Sequence, residues 1–340
     1  MSATETTAAA SRTETVTVLH ALNAAMRHEL ERDERVVILG EDVGRLGGIF
    51  RTTDGLLDRF GPGRVIDTPL DEKGIVGHAT GMALYGLKPI VEMQFSGFIH
   101  DAFEQIMYCA TKYRWLTAGQ WGCQMVIRAP SFGGIKGGYW HSQSPEAYYV
   151  HGGGMKIVVP STVDDAYRLT IAAIRDPDPV LILEPVPLYR SLSGPLREDG
   201  EPGTIGEAHV ARSGSDVTVL TYGPMRHLCA KVADALAAEG GPDVEVVDLR
   251  TLVPLDVDTV VASAQRTGRV VIVHEAPLSL GFGAELIALV QARAFGSLKA
   301  PIDRVAGHDV PYGFSTGDEY HRPDERRVRN AILAQMEFAF

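Results

Sequence analysis

The chain has 340 residues, 45% of them hydrophobic and 22% charged, with a formal net charge of −11. That length exceeds one ordinary core and fits two globular domains. The acidic balance argues against a nucleic-acid partner, which would want a basic face, and no apolar run approaches the roughly 18 residues of a membrane-spanning helix.

The first 14 residues are rich in Ser, Thr and Ala without an apolar run. They read as a disordered tail rather than a signal or transit peptide, so the expected location is cytoplasmic. Leu19, Leu22, Met26 and Leu30 recur at helical spacing, and a short apolar strand follows over 36–39. Further strands are expected over 90–95, 125–128, 157–159 and 180–183, with helices over 73–85, 102–116 and 163–174 between them. Short apolar strands alternating with helices indicate a parallel sheet covered on both faces. The polar stretch 191–206 holds six Gly or Pro residues and reads as a surface linker. Beyond it come strands over 217–220, 244–247, 270–273 and 302–305. Helices are expected near 225–238, from Asp258, from Phe282 and from about Asp324. The expected fold is α/β with two doubly wound domains, 15–190 and 207–340. Cys109, Cys123 and Cys229 are odd in number and lack CxxC spacing, so they read as reduced thiols and not as a metal or disulfide framework.

The segment Asp67-Thr-Pro-Leu-Asp-Glu-Lys-Gly-Ile-Val-Gly-His-Ala-Thr-Gly81 carries the most chemistry. Glu72 stands on a loop that opens a helix, and Gly74, Gly77 and Gly81 fall on one face of that helix. A helix-interior glycine costs roughly 1 kcal/mol relative to Ala, a penalty accepted where another backbone or a ligand comes close. A carboxylate facing such a surface would be poorly solvated and would hold its proton more tightly. The same Glu also reads as an ordinary acidic residue favouring a helix first turn.

His141 follows the loop Gly133-Gly-Ile-Lys-Gly-Gly-Tyr-Trp140 and could transfer a proton near neutral pH; a surface His on a turn is the plain reading. Gln94-Phe-Ser-Gly-Phe98 follows a strand end, where ligands bind in open parallel sheets. An aromatic there can stack on a flat heterocycle and Gln94 can bond its edge, or both aromatics belong to the core. Asp176 and Asp178 could bind a hard cation or simply form a helix-ending turn. The run Gly152-Gly-Gly154 reads as a flexible turn. His274-Glu275 and His308-Asp309 are each open between a structural role and a partner surface.

Taken together and in order, these elements resemble a known family: the beta subunit of the thiamine-diphosphate-dependent decarboxylase component of 2-oxo acid dehydrogenase complexes. The residues that carry the resemblance are Gly40-Glu-Asp-Val-Gly44, Asp67-Thr-Pro-Leu-Asp-Glu72, Gly74-Ile-Val-Gly77, Glu92-Met-Gln-Phe95, Ala110-Thr-Lys-Tyr113 and His141-Ser-Gln-Ser-Pro-Glu-Ala147. Leu183-Glu-Pro185, Leu188-Tyr-Arg190, Asp248-Leu-Arg-Thr-Leu252 and His274-Glu-Ala-Pro277 extend it into the second half. The resemblance implies a pyrimidine-binding transketolase-like domain followed by a transketolase C-terminal-like domain.

The resemblance also implies roles. Glu72 would hydrogen-bond the cofactor's aminopyrimidine ring and promote the imino tautomer that activates the thiazolium carbon. Glu41, Leu70, Asp71 and Gln94 would line the pyrimidine pocket, and Phe98, where many relatives have Tyr, would stack on the ring. Phe95, Ser96, Gly97 and Phe98 would border the substrate. His141 would face substrate and lipoyl arm as a proton-transfer group. Potassium is implied at Met125, Val126, Ala173, Asp176 and Asp178, although relatives often have Asn at Asp178. Relatives also show less glycine at 152–154, which bears on the rigidity of that loop.

The chain contains no Gly-Asp-Gly, the motif with which thiamine-diphosphate enzymes hold magnesium and diphosphate. An alpha subunit is therefore expected to supply that half of the site, in an assembly of two alpha and two beta chains. The glycine-faced helix suits such a contact. A lipoyl-bearing dihydrolipoyl acyltransferase core is the implied acceptor. Ser-Pro-Glu-Ala after His141 and Leu183-Glu-Pro185 lean toward branched-chain 2-oxo acids such as 3-methyl-2-oxobutanoate; pyruvate is the alternative, and acetoin-type relatives fit less well. A catalytically silent scaffold is the alternative of another class, against which Glu72 and His141 both speak. Length and the missing motif exclude a free-standing transketolase-like enzyme.

Overall fold

A computed structural model describes residues 13–338. The expected tail lies outside the described residues except at its end, where Glu14 begins a strand, Glu14–Thr17.

The first half builds a seven-stranded sheet. Its order is Thr251–Val253, Lys156–Val158, Val180–Pro185, Val126–Ser131, Lys88–Glu92, Val36–Gly40, Val65–Asp67. All pairs are parallel except the one made by Thr251–Val253. The central strands read as unbroken apolar runs because both faces are covered. Helices Val18–Arg32 and Val163–Arg175 pack together on one face, through Leu22, Ala25, Ala166 and Ile171. Glu72–Leu84 covers the other face with Ile75, Val76 and Ala79. The second half forms a five-stranded sheet, Asp303–Gly307, Val270–Pro277, Val217–Thr221, Val244–Asp248, His209–Arg212, parallel except for the last strand.

Three expectations need correction. The stretch 191–206 is not a free linker: Ser193–Leu196 pairs antiparallel with Glu14–Thr17, Leu196 is buried, and the Gly200 N–H bonds the Tyr167 hydroxyl at 3.1 Å. Its large apolar side chains, Leu192, Leu196 and Ile205, all pack on core clusters, which outweighs its Gly and Pro content. The expected helix over 102–116 splits into a π-helical stretch Gln105–Ala110 and a short helix Tyr113–Leu116; the Thr111 N–H reaches back five residues to the Ile106 carbonyl. The glycine run at 152–154 is tightly packed. A Cβ on Gly152 would collide with Met107, one on Gly154 with the Thr111 carbonyl, and the Lys112 ammonium bonds the Gly152 and Gly153 carbonyls at 2.7 and 2.9 Å.

Thr251–Val253 carries the second half into the first sheet, next to Lys156–Val158. At the same seam Asp248 is buried, accepts from the Ser161 hydroxyl and faces Arg226, while Arg250 pairs with Asp165 at 2.9 Å. The motif at 248–252 therefore joins the two halves. All three cysteines are free thiols, Cys123 and Cys229 buried and Cys109 half-buried.

Candidate active site

Four neighbouring strands of the first sheet, Val126–Ser131, Lys88–Glu92, Val36–Gly40 and Val65–Asp67, release their following loops at the same edge. Glu41 follows Gly40, Gln94 to Phe98 follow Glu92, the loop carrying His141 follows Ser131, and Glu72 lies five residues past Asp67. The carboxyl ends of parallel strands leave a crevice suited to ligands. The Asp67 carboxylate steadies this edge by accepting the Gly44 and Arg45 N–H groups at 2.6 and 3.1 Å.

Glu72 begins its helix and is only 8% exposed. The helix starts where it does because Asp71 caps it, accepting the Gly74 N–H at 2.9 Å; Asp71 thus has a structural duty besides any ligand contact. Glu41 is equally buried. Burial first, then the charges of Glu72 and Asp42, push its carboxyl up to about 7, against the Asp71 N–H bonded to it. With its carboxyl raised to about 7, Glu41 can hold a proton near neutral pH in this poorly solvated place. One such group can donate to, or accept from, the edge of an aminopyrimidine. Leu70, 80% exposed, stands at the open side, and Gln94 reaches the Asp42 carboxylate at 3.5 Å.

The same sheet edge carries an aromatic group. His141 packs edge-on against Phe95 and Phe98 with centroids 4.4 and 5.4 Å apart, and Phe95 meets Phe98 at 6.0 Å. The His141 Nδ1 lies 2.9 Å from the Gly137 carbonyl. A carbonyl only accepts, so Nδ1 carries the hydrogen and the other ring nitrogen is left as the base. Ser96 and Gly97, expected to border substrate, also have contacts within the chain. The buried Ser96 hydroxyl donates to the Gln143 carbonyl at 2.8 Å, and a Cβ on Gly97 would run into the Trp140 carbonyl. Both lock the two loops together.

The residues read for potassium are otherwise engaged. Lys156 bonds both Asp176 oxygens at 2.7 and 2.5 Å and Arg114 pairs with Asp178. The Met125 and Ala173 carbonyls accept the Val180 and Asp176 N–H groups, and Val126 is a buried strand residue. Among the described residues no group of three or more His, Cys, Asp or Glu side chains could hold a metal ion. This arrangement fits an ion-paired turn better than a cation site.

Sequence reasoning missed a buried charge network below the aromatic group. Arg128 bonds Glu184 at 2.6 and 2.9 Å and Glu92 at 2.7 Å. Thr52 donates to Glu92 at 3.1 Å, and the Tyr189 hydroxyl donates to Glu184. Tyr189 touches Phe50, which touches Phe95, both at 5.4 Å. The signal was present: Glu92, Arg128 and Glu184 each stand in an otherwise largely apolar strand, and such charges are buried only when paired.

Residues 14–191 match the family described as transketolase, pyrimidine binding domain, and residues 206–328 match transketolase, C-terminal domain. A beta subunit of 3-methyl-2-oxobutanoate dehydrogenase from Mycobacterium tuberculosis (strain ATCC 25618 / H37Rv) is 47% identical, covering 94% of this chain and 92% of its own length. The chain belongs to the 2-oxo acid dehydrogenase beta-subunit family. It lies in the transketolase-like, thiamine-diphosphate-dependent group, and the beta-subunit family implies an alpha-subunit partner. A 2-oxoisovalerate dehydrogenase beta subunit from Pseudomonas aeruginosa is 44% identical with 95% of both chains covered. A pyruvate dehydrogenase E1 beta subunit from Bacillus subtilis is 41% identical, covering 95% of this chain and 99% of its own. The fold is shared with a solved structure titled split gene transketolase, inactive beta4 tetramer, at a TM-score of 0.76 and 23% identity, covering 94% of this chain and 98% of that one.

Proposed function

We propose that this chain provides the pyrimidine-binding half of a thiamine-diphosphate site shared with an alpha subunit. The reaction is decarboxylation of branched-chain 2-oxo acids of the 3-methyl-2-oxobutanoate type, followed by acyl transfer to a lipoyl group on a dihydrolipoyl acyltransferase core. The observation that carries this is the buried Glu41–Glu72 pair at the sheet edge that also carries Phe95, Phe98 and His141.

The donor set fits the aminopyrimidine. Glu72 would hold the proton at a ring nitrogen, with Glu41, Leu70, Asp71 and Gln94 around it and Phe98 against its face. Thiamine diphosphate, when bound, supplies the nucleophilic carbon and the electron sink for decarboxylation. Glu72 holds and returns the proton that this requires, and Glu41 keeps that carboxyl poorly solvated. Phe95 and Phe98 exclude water from the reacting face. His141 offers its unprotonated ring nitrogen to the acyl acceptor. The chain lacks a Gly-Asp-Gly, so magnesium and diphosphate fall to the alpha subunit. Potassium would have to displace the Lys156 and Arg114 pairings, and no step depends on it.

Support for the partner comes from helix Glu72–Leu84. A Cβ on Gly81 would meet nothing within 4 Å, and one on Gly77 only the end of Gln105 at 3.7 Å. Among the described residues nothing accounts for those glycines, while Leu84 and Tyr85 stand exposed beyond them. A second chain packed closely on that face would account for both, in an assembly of two alpha and two beta subunits. A cytoplasmic location goes with this reading; among the described residues no helix is long and apolar enough to cross a membrane.

The branched-chain reading is favoured over pyruvate by the 47% and 44% identities against 41%. The test is co-expression with a candidate alpha subunit and steady-state comparison of 3-methyl-2-oxobutanoate with pyruvate. A higher kcat/KM for the branched acid supports the reading, and a higher value for pyruvate reassigns the substrate.

A further inference from the structure

The glycine loop that leads to His141 is held from the other half of the molecule. The Gly133 N–H donates to the Glu275 carboxylate, which also accepts from the Tyr312 hydroxyl at 2.8 Å. The next N–H, of Gly134, lies 3.1 and 3.0 Å from the two Asp318 oxygens. The Lys136 N–H reaches Asp318 at 2.8 Å. Gly137 then forms a bridge with Phe314, and a Cβ on Gly138 would collide with that ring. Glu275 and Asp318 are both fully buried. Two buried carboxylates thus fill the row of loop N–H groups that would otherwise form an anion-binding nest.

The consequence reaches the imidazole. Gly137, the residue after Lys136, supplies the carbonyl that fixes the His141 Nδ1. Phe95 and Phe98 hold the ring from the side, so the carbonyl alone decides which nitrogen is the base. Arg322 sits on Asp318 at 2.9 Å and braces that carboxylate where it meets the loop.

We propose that Asp318 and Glu275 are positioning residues for His141: by holding the backbone of residues 133–136 they set the Gly137 carbonyl, and with it the tautomer and aim of the imidazole. Neither touches the pyrimidine side of the site at Glu41 and Glu72. This rests on the reading of His141 as the acyl-transfer base. It explains why a motif in the second half, His274-Glu275, is bound up with a site in the first.

The test uses the assembled alpha–beta protein with thiamine diphosphate, magnesium and an isolated lipoyl domain. Decarboxylation is followed with an artificial electron acceptor, and acyl transfer with the lipoyl domain. Asp318→Asn and Glu275→Gln keep shape while weakening the grip on the N–H groups. Each should lower the rate of acyl transfer by about tenfold more than that of decarboxylation, in line with the cost of small misplacements. Each should also shift the pH profile of acyl transfer and add little in a His141→Asn background. Asp318→Glu, which restores the charge, should recover part of the loss. Equal losses in both half-reactions, full additivity with His141→Asn, or wild-type acyl transfer in both variants would overturn the proposal. If the unsubstituted assembly acylates no lipoyl domain at all, the functional reading itself fails, which is a different result.

Discussion

Glu72 presses its charge on Glu41, and burial and that charge together push the Glu41 carboxyl up to about 7. The pair joins two loops leaving adjacent parallel strands. Its position at the sheet edge is what suits a helix-opening acid to the proton-handling role proposed for Glu72.

Glu72→Gln should keep the alpha–beta assembly and lower thiamine-diphosphate-dependent decarboxylation by about a hundredfold or more, the scale of a lost proton-transfer group. Size-exclusion chromatography and an artificial-acceptor assay read the two properties separately. Normal decarboxylation would remove Glu72 from its role.

Gly81→Leu separates folding from assembly. With open space at that Cβ, the isolated chain should gain about 0.5–1 kcal/mol of stability from better helix propensity. The same side chain should weaken association with the alpha subunit, measured by titration calorimetry. A destabilised isolated chain with unchanged alpha affinity would contradict the assigned contact face.

Arg128→Met should destabilise the chain by about 3–5 kcal/mol, because it strands two buried carboxylates. Glu92, Arg128 and Glu184 are all within 2% of full burial. Denaturant unfolding measures this. A loss under about 1 kcal/mol, typical of a surface pair, would show that the network is hydrated.

Asp248 predicts a pH effect with a definite sign. Burial, then Asp165, raise its carboxyl to about 7, against roughly 4 when unfolded. The folded state therefore binds this proton more tightly, and the stability it contributes is complete below about pH 4 and lost as the pH rises through about 7. The melting temperature of the wild type relative to Asp248→Asn should be higher at about pH 5 than at about pH 8. A difference that is flat or grows with pH would refute the assignment.

The buried strands were legible because parallel strands covered on both faces are continuous apolar runs, as in Val180–Pro185. The missed strands, Glu14–Thr17, Val65–Asp67, Ser193–Leu196, His209–Arg212 and Thr251–Val253, are short and lie at sheet edges or in a two-stranded ribbon. There the hydrogen bonds come from partners distant in sequence, and the apolar signal is weak. At the site, Phe95, Phe98 and His141 were readable as chemistry, and the structure brings their rings together. Glu275 was not assignable, since its loop partner Gly133 lies 142 residues away. The resemblance placed Ser96 and Gly97 beside substrate; that they also lock onto a second loop was not legible, because the Ser96 partner Gln143 lies 47 residues away.

The central claim is that Glu72 belongs to half of an active site whose other half lies on a different chain. Turnover of 3-methyl-2-oxobutanoate with thiamine diphosphate, magnesium and an artificial electron acceptor, measured on the purified chain alone and after adding the alpha subunit, decides it. No turnover is expected from the chain alone and full activity on addition; turnover by the chain alone would contradict the shared site.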